Sequence, residues 1–514
     1  MNGAESLVRT LVAGGVNVCF ANPGTSEMHF VAALDRVEGM RCVLGLFEGI
    51  VTGAADGYYR MSRAPASTLL HLGPGLANGL ANLHNARKAN SGIVNIVGQH
   101  ALHHIAYNAP LTSDIEGLAR PMSGWVRTSP DAASVARDGA AAIAAARGQP
   151  GQIATLILPA DTAWNEAEGI AAVPAPAQSA GFDALAVDRV AATLRRNEPT
   201  LLLLSGGALT ERGLALAERI AGKTGCKVMG QTYNPRMARG RGRFSIERIP
   251  YVVEQALPVL QPFRHCVLVD AVDPVAFFAY PNKPSRLLPD GCAVHHLCDA
   301  SENAVDALEA LAEALGARPA DVKPQAMVEL VKPTGALTHA AIAMAIAGAI
   351  PENAIVVDES LTTGRGFFPP TAAAAPHDWL QNMGGSIGFS TPVATGAAVA
   401  CPDRKVICMV GDGSAMYTLQ SLWTQAREKL DVTTIVFANR AYQILRGEFA
   451  GVDAGEPGRR ATDMLTIDRP ALDWVALAKG MGVEGRAVTT AEAFSAALAD
   501  ANAEKGPRLI EVVM

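Results

Sequence analysis

The 514-residue chain reads as an α/β protein of three open, doubly wound parallel-sheet domains, and three observations carry that reading. Short apolar runs alternate with helix-like segments from one end of the chain to the other. Each run ends in Gly, Pro, Asn or Asp, as buried parallel strands do where they feed loops. Two Pro-rich connectors, "AAVPAPAQSAG" and "GARPADVKPQAMVELVKPTG", divide the chain into blocks at 1–172, 183–318 and 335–514.

In the first block the strand candidates are "VNVCFANPG", "RCVLGLFE", "ASTLLHLGPG", "GIVNIVGQ" and "QIATLILPAD". The second supplies "PTLLLLSGG", "CKVMGQ" and "HCVLVDA". The third supplies "NAIVVDES", "KVICMVGDG", "VTTIVFANR" and "PRLIEVVM", and it resembles the first block in general plan. Open sheets of this kind bind ligands at the carboxyl ends of their strands, so the polar residues just past each run are the candidates for chemistry.

Composition narrows the function. The chain is 49% hydrophobic and 18% charged, with a net charge of −6 and no basic run, which excludes a nucleic-acid surface. The start, "MNGAESLVRTLVAGG", has an amphipathic pattern with Glu5 in it and no signal-peptide plan, and no run is long enough for a membrane span. The eight cysteines are scattered, with no CxxC pair for a zinc site. Reduced, buried thiols in a cytoplasmic protein are the expectation.

The most specific stretch is "KVICMVGDGSAMYTLQSLWTQAREKLDVTTIVFANRAYQIL". It predicts a strand ending at Gly411-Asp412-Gly413, a helix over about Ser414–Lys429, and a parallel strand ending at Ala438-Asn439. That crossover brings the Asp412 carboxylate and the Asn439 amide to one sheet edge. Two hard oxygen ligands suit Mg2+ that also holds phosphate oxygens. The flanking glycines and the helix start at Ser414 would admit a bulky anion. Asp-Gly after a strand, taken alone, is equally a simple turn; the matching Asn439 argues against that.

A second carboxylate, Glu48, opens the helical segment "EGIVTGAADGYYR". Alone it reads as an acid favoured by the helix dipole. Gly49, Gly53 and Gly57 lie on one face of that helix and allow another helix to come close.

These residues resemble those of the thiamine diphosphate-dependent enzymes. GDG with an Asn 26 residues on, "FANPGTSE", "FEGIVTGAADGYYR", "HLGPGLANGLANLHNA", "GGSIGFSTPVATGAA" and "WVALAKGMGV" fall in that family's order and spacing over nearly the whole chain. They look most like benzoylformate decarboxylase and the acetolactate synthase large subunit. The resemblance implies a pyrimidine-binding domain, a central domain and a diphosphate-binding domain, matching the three blocks. It implies metal ligands at Asp412, Asn439 and the Ala441 carbonyl. Glu48 would then bond a pyrimidine nitrogen of the cofactor, and Ile387 would prop the cofactor in its bent form. The remaining cofactor contacts implied are Pro23, Gly24, Thr362, Gly385, Gly411, Gly413, Ser414, Tyr417, Tyr442 and Ile444.

On the substrate side, Thr25 matches a residue that contacts the substrate carboxylate and His71 matches a proton carrier, although an isolated histidine is also commonly structural. The expected substrate is a 2-oxo acid, decarboxylated or ligated to a 2-hydroxy ketone. The family implies a homodimer or dimer of dimers, with the Glu48 helix at a subunit interface and each site joining Glu48 of one chain to Asp412 of another.

Three departures qualify the match. Ala438 replaces the first of two asparagines, and Phe47 replaces a histidine that often precedes the glutamate. The stretch "AVDPVAFFAYPNKP" carries Phe277, Phe278 and Tyr280 where the decarboxylase has its second histidine. His100, His103 and His104 in "GQHALHHIAYNAP" are candidates to replace it, or for a zinc site. "LLLLSGGALTERG" lacks GxGxxG, so FAD is not expected. A flavin-containing oxidase or synthase relative and a non-catalytic regulatory subunit are the competing readings.

Overall fold

In the computed structural model, which describes residues 1–175, 181–326 and 328–514, the apolar runs form three mainly parallel sheets. The core of the first connector, residues 176–180, lies outside the described residues, as does Met327 in the second. The first sheet holds β1 Val18–Asn22, β2 Arg41–Leu44, β3 Ala66–Leu70, β4 Ile93–Gln99, β5 Trp125–Thr128 and β6 Ile153–Pro159, in the order β2-β1-β3-β4-β6-β5. The middle sheet holds β7 Thr200–Leu204, β8 Lys227–Gly230, β10 Glu247–Arg248, β11 His265–Val269 and β12 Ala293–Cys298, in the order β10-β8-β7-β11-β12. Between β8 and β10 in sequence lies β9, Met237–Arg239.

The third sheet is built from β13 Ala354–Glu359, β14 His377–Gln381, β15 Val406–Gly411, β16 Val432–Ala438, β17 Glu484–Val488 and β18 Arg508–Val513. Its order is β17-β18-β16-β15-β13-β14-β9, with β9 antiparallel at the edge. From β14 to β17 this repeats the winding of the first sheet, which gives the similarity of plan between the two blocks a topological meaning. The second block therefore lends an edge strand to the third sheet.

The sequence reading misses β5, β9, β10, β12, β14 and β17. Five of these are edge strands: in β5, β12 and β17 polar residues break the apolar run, while β9 and β10 are only three and two residues long. The interior strand β14, "HDWLQ", is buried at all its positions despite its polar letters. Asp378 is neutralised there by Arg236 at 2.9 Å and Arg404 at 2.7 Å, so the charge has partners inside the protein.

The glycines of helix Glu48–Ser62 have a different explanation from a second chain. A Cβ on Gly57 would run into the Val393 carbonyl, one on Gly53 into Pro392, and one on Gly396 into the Ala54 carbonyl. The helix that comes close is thus Ser390–Ala400 of the same chain. Gly49 leaves room instead for the ring of Phe47.

The helix expected over Ser414–Lys429 is interrupted. One turn, Asp412–Ala415, is followed by turns and then by Ser421–Arg427. The Thr418 hydroxyl donates to the Gly388 carbonyl at 3.0 Å and meets the Thr391 hydroxyl at 2.8 Å, side-chain bonds that compete with a continuous helix. A long helix dipole behind Ser414 is therefore absent, and an anion there would meet the amides of a single turn.

Candidate active site

In a sheet wound 2-1-3-4-6-5 the strand order reverses between the first and third strands, and the loops leaving those strands flank a crevice. In the first sheet they are Pro23–Glu27 after β1 and His71 after β3. The ring of His71 covers Gly24 so closely that a Cβ on Gly24 would overlap it. Its Nδ1 lies 2.8 Å from Glu27 Oε2, which also accepts the Gly24 N–H at 2.7 Å. In this geometry Nδ1–H donates to the carboxyl oxygen, leaving Nε2 as the nitrogen without that partner. Burial pushes the Glu27 carboxyl up, while the Gly24 N–H and His71 pull it down. Glu27 is a functional candidate that sequence reasoning missed: a glutamate in a loop motif has no distinctive spacing. Thr25 sits exposed on the rim of the same loop, and Pro23 and Gly24 are half-buried beside it.

Glu48 is buried at the start of its helix, 8% exposed. Asn78 Nδ2 donates to its Oε2 at 2.9 Å, while its Oε1 faces the open α-carbon of Gly75. Asn78 begins a row of amides on helix Leu72–Lys88. Asn82 donates to the carbonyls of Gly49 at 2.8 Å and Gly388 at 3.3 Å. Asn85 donates to the Ser386 carbonyl at 2.9 Å and accepts the Ser386 N–H at 3.1 Å. The spacing 78, 82, 85 is helical, so the row was visible in "LANGLANLHNA" as a polar stripe on an otherwise apolar helix.

That stripe fixes the loop carrying Ile387. Gly385 and Gly388 take positive φ, +78° and +85°, which suits glycine at both bends. Behind the loop, the Glu359 carboxylate at the end of β13 accepts the N–H groups of Gly388, Phe389 and Ser390 at 2.8–3.0 Å. Burial pushes Glu359 up from about 4.5 to about 7, against the pull of those three donors. The fold thus favours its protonated form. The stability this contributes is full below about pH 4.5 and lost as pH rises through about 7. Between about pH 5 and about pH 8 the wild-type Tm should fall relative to that of Glu359→Gln, whose profile is flatter, when both are followed by thermal denaturation. Parallel profiles would contradict this assignment.

In the third sheet the equivalent crevice lies between β13 and β15. Gly411 pairs with Phe437 across β15 and β16, which sets Asp412 and Asn439 at one edge as the crossover requires. Asp412 is buried; its two oxygens accept the N–H groups of Gly413 at 2.8 Å and Arg440 at 2.7 Å. Asn439 Oδ1 accepts the Ala441 N–H at 3.0 Å. Around these, Ser414 and Ala441 are buried and Tyr442 covers Gly413. Tyr417, 54% exposed, packs its Cβ on Gly388 and so adjoins the Ile387 loop. Thr362 is half-buried ahead of the turn Thr363–Gly366. Ile444 lines a cleft of about 370 Å³ between the second and third blocks, with Tyr233, Tyr251 and Glu359.

Residues 1–118 match "Thiamine pyrophosphate enzyme, N-terminal TPP binding domain", and residues 368–512 match "Thiamine pyrophosphate enzyme, C-terminal TPP binding domain". The chain belongs to the thiamine pyrophosphate enzyme family. Among curated relatives of this enzyme, "Putative acetolactate synthase large subunit IlvX" of Mycobacterium tuberculosis (strain ATCC 25618 / H37Rv) is 53% identical, covering 100% of this chain and 99% of the relative. Benzoylformate decarboxylase of Pseudomonas aeruginosa is 31% identical, covering 97% of this chain and 96% of that one. Among solved structures, the thiamine diphosphate-dependent 4-hydroxybenzoylformate decarboxylase of Rhodococcus jostii RHA1 superposes with a TM-score of 0.86 at 28% identity, covering 100% of this chain and 99% of that one. Nothing in these comparisons supports the flavin-containing or the regulatory alternative.

The residues of this thiamine pyrophosphate enzyme fit its cofactor. Asp412 is a buried carboxylate that accepts two backbone N–H groups and has no Lys or Arg ion pair among the described residues, as expected of an acid whose counter-charge is a metal ion. No atom lies within 4 Å of where a Cβ on Gly411 would be, leaving open space at the strand end.

Proposed function

We propose that this chain is a thiamine diphosphate- and Mg2+-dependent 2-oxo acid decarboxylase. The observation that carries the reading is the Glu27–His71 pair, a proton-transfer imidazole oriented by a buried acid at the switch point of the first sheet. Asp412, Asn439 and the Ala441 carbonyl would hold Mg2+ and, through it, the diphosphate. Gly411, Gly413 and Ser414 would leave room for the diphosphate, and Ile387 on its braced loop would support the cofactor from below. Pro23, Gly24, Thr362, Gly385, Tyr417, Tyr442 and Ile444 complete its surroundings.

Thiamine diphosphate, when bound, supplies a carbon nucleophile and an electron sink. The protein's part is to move protons and shape the cavity. Glu48, with Oε2 fixed by Asn78, would hold an exchangeable proton at Oε1 for the pyrimidine of that cofactor. Thr25 offers a hydroxyl to the substrate carboxylate, and His71 Nε2 exchanges a proton with the substrate oxygen.

The stretch in place of the decarboxylase's second histidine is aromatic. Phe277 stands over Gly385 and packs with Tyr251 at 5.6 Å, Tyr233 at 6.0 Å and Phe278 at 4.9 Å between ring centroids. This wall favours a 2-oxo acid with an apolar or aryl side chain.

The assembly is read as a homodimer or dimer of dimers in the cytoplasm. The cytoplasmic placement rests on eight free cysteines, of which only Cys42 is exposed, and on the absence, among the described residues, of any helix long and apolar enough to cross a membrane. Carboligation is the second reading, favoured by the relative at 53% identity. A panel of 2-oxo acids with added thiamine diphosphate and Mg2+, following carbon dioxide, aldehyde and acyloin, tests the proposal. Aldehyde and carbon dioxide in equal amounts are expected. Acyloin as main product would favour the second reading, and no turnover of any acid would overturn both.

A further inference from the structure

The proposed decarboxylation needs two proton exchanges on the substrate, and the residues above supply one imidazole. The C–C bond to the carboxylate breaks, its electron pair stays on the substrate carbon, and a C–H bond then forms there with a proton drawn from solvent. The carbonyl oxygen separately gains a proton when the substrate is engaged and returns it when the aldehyde leaves. One histidine bound to a carboxylate suits the oxygen; the carbon needs another donor.

The topology places one beside it. Leu70 pairs with Val97 across β3 and β4, so the chain leaving β4 at Gly98-Gln99-His100 emerges next to His71. Gly98 closes on the Glu27 side chain, whose Oε1 has no hydrogen-bond partner among the described residues, and this loop thus lies against the Glu27–His71 pair. The Nε2 of His100 is buried from solvent and has no hydrogen-bond partner among the described residues, a feature that in a native site marks an atom awaiting another group. Its backbone is fixed, because the His100 N–H donates to Gln99 Oε1 at 2.8 Å.

We propose that His100 is the second proton-transfer group of the site, delivering a proton from its ring to the substrate carbon while His71 serves the oxygen. This rests on the 2-oxo acid decarboxylase reading above. The titratable groups facing His100 are His71, with Glu27 behind it, and His104, whose ring centroid is 5.4 Å away on the same loop. No carboxylate among the described residues bonds the His100 ring. Asp161, nearby in the first block, is engaged by the Leu102 N–H at 3.0 Å and by His103 at 3.7 Å. Burial first, then His104 and His71, push the His100 imidazole down, so its cation gives up a proton readily. His71 differs in that its Nδ1 is held by the Glu27 carboxyl at 2.8 Å, whereas the His100 ring has no such partner among the described residues. Exposed His104, tilted against His100, connects it to solvent.

The test uses holoenzyme of the wild type, His100→Gln and His104→Gln, loaded with thiamine diphosphate and Mg2+, on the best acid from the panel. In single turnover, His100→Gln should retain the rapid release of carbon dioxide while aldehyde release slows by about 100-fold. The alkaline limb of its steady-state pH profile, where His100 would lose the proton it delivers, should also disappear, and His104→Gln should keep the wild-type ratio of the two rates. Equal slowing of both products with an unchanged pH profile would assign His100 a structural role and overturn the proposal, as would wild-type behaviour. In either of those cases the decarboxylase reading stands. A wild type that releases no carbon dioxide from any acid would remove the decarboxylase reading, and this inference with it.

Discussion

Replacing Glu48 with glutamine is expected to lower kcat by about 1,000-fold while leaving the fold and cofactor binding nearly intact. The amide keeps the shape of the side chain and can still meet Asn78, so the helix start and its contacts with Gly75 and Gly79 survive. What the variant loses is the ability to exchange a proton at Oε1. A drop in kcat with little change in Tm or in the dissociation constant for thiamine diphosphate would match that account. A variant within a few-fold of wild type would mean that the carboxylate serves only as a favourable group at a helix N-terminus, worth about 1 kcal/mol at most.

Asp412→Asn is expected to act through binding. The substitution would remove the one charged group of the proposed metal set and leave Asn439 and a carbonyl, both neutral. Affinity for thiamine diphosphate at fixed Mg2+ should fall by about 100-fold or more, and high Mg2+ should recover only part of it. Titration calorimetry with the cofactor, with and without Mg2+, measures this. The two variants together also probe the assembly, because their lesions lie in the first and third blocks. If Glu48 of one chain serves Asp412 of another, dissociating and mixing the two inactive proteins should restore about a quarter of wild-type activity. If both serve a site within one chain, the mixture should stay inactive.

How much of this was legible in the sequence depends on how each residue announces itself. Asp412 and Asn439 stand directly after long β-branched runs, and parallel pairing carries them to one edge without further information. The winding of the sheets follows from the same alternation, and it puts His71 and the Pro23–Glu27 loop on the switch point. Edge strands β5, β12 and β17 lacked a full apolar run, β9 and β10 are too short to show one, and β14 hid its burial behind polar letters whose partners come from other parts of the chain. Arg236, one of those partners, is 142 residues away from Asp378.

The support behind the site was harder to read. Glu27 is one letter in a loop, and nothing local says that it lies under His71. Glu359 closes β13 as part of "VVDES", yet its three N–H donors sit in another loop, 29 to 31 residues on. The amides at 78, 82 and 85 did carry a signal, their helical spacing. The glycines of "EGIVTGAADGYYR" promised a close neighbour, and there is one; it is the helix Ser390–Ala400, which fastens the first block to the third. The break after Ala415 comes from Thr418 bonding across to the Ile387 loop, a tertiary contact that no propensity reports.

The central claim is that a proton exchanged at Glu48 activates thiamine diphosphate bound at Asp412. The measurement that reaches it most directly is the rate at which the bound cofactor exchanges its thiazolium C2 proton for deuterium, read by quenched-flow NMR with no substrate present. The account predicts fast exchange in the wild-type holoenzyme and exchange slowed by about 100-fold or more in Glu48→Gln, with the cofactor equally bound in both. Equal exchange rates in the two proteins would contradict it.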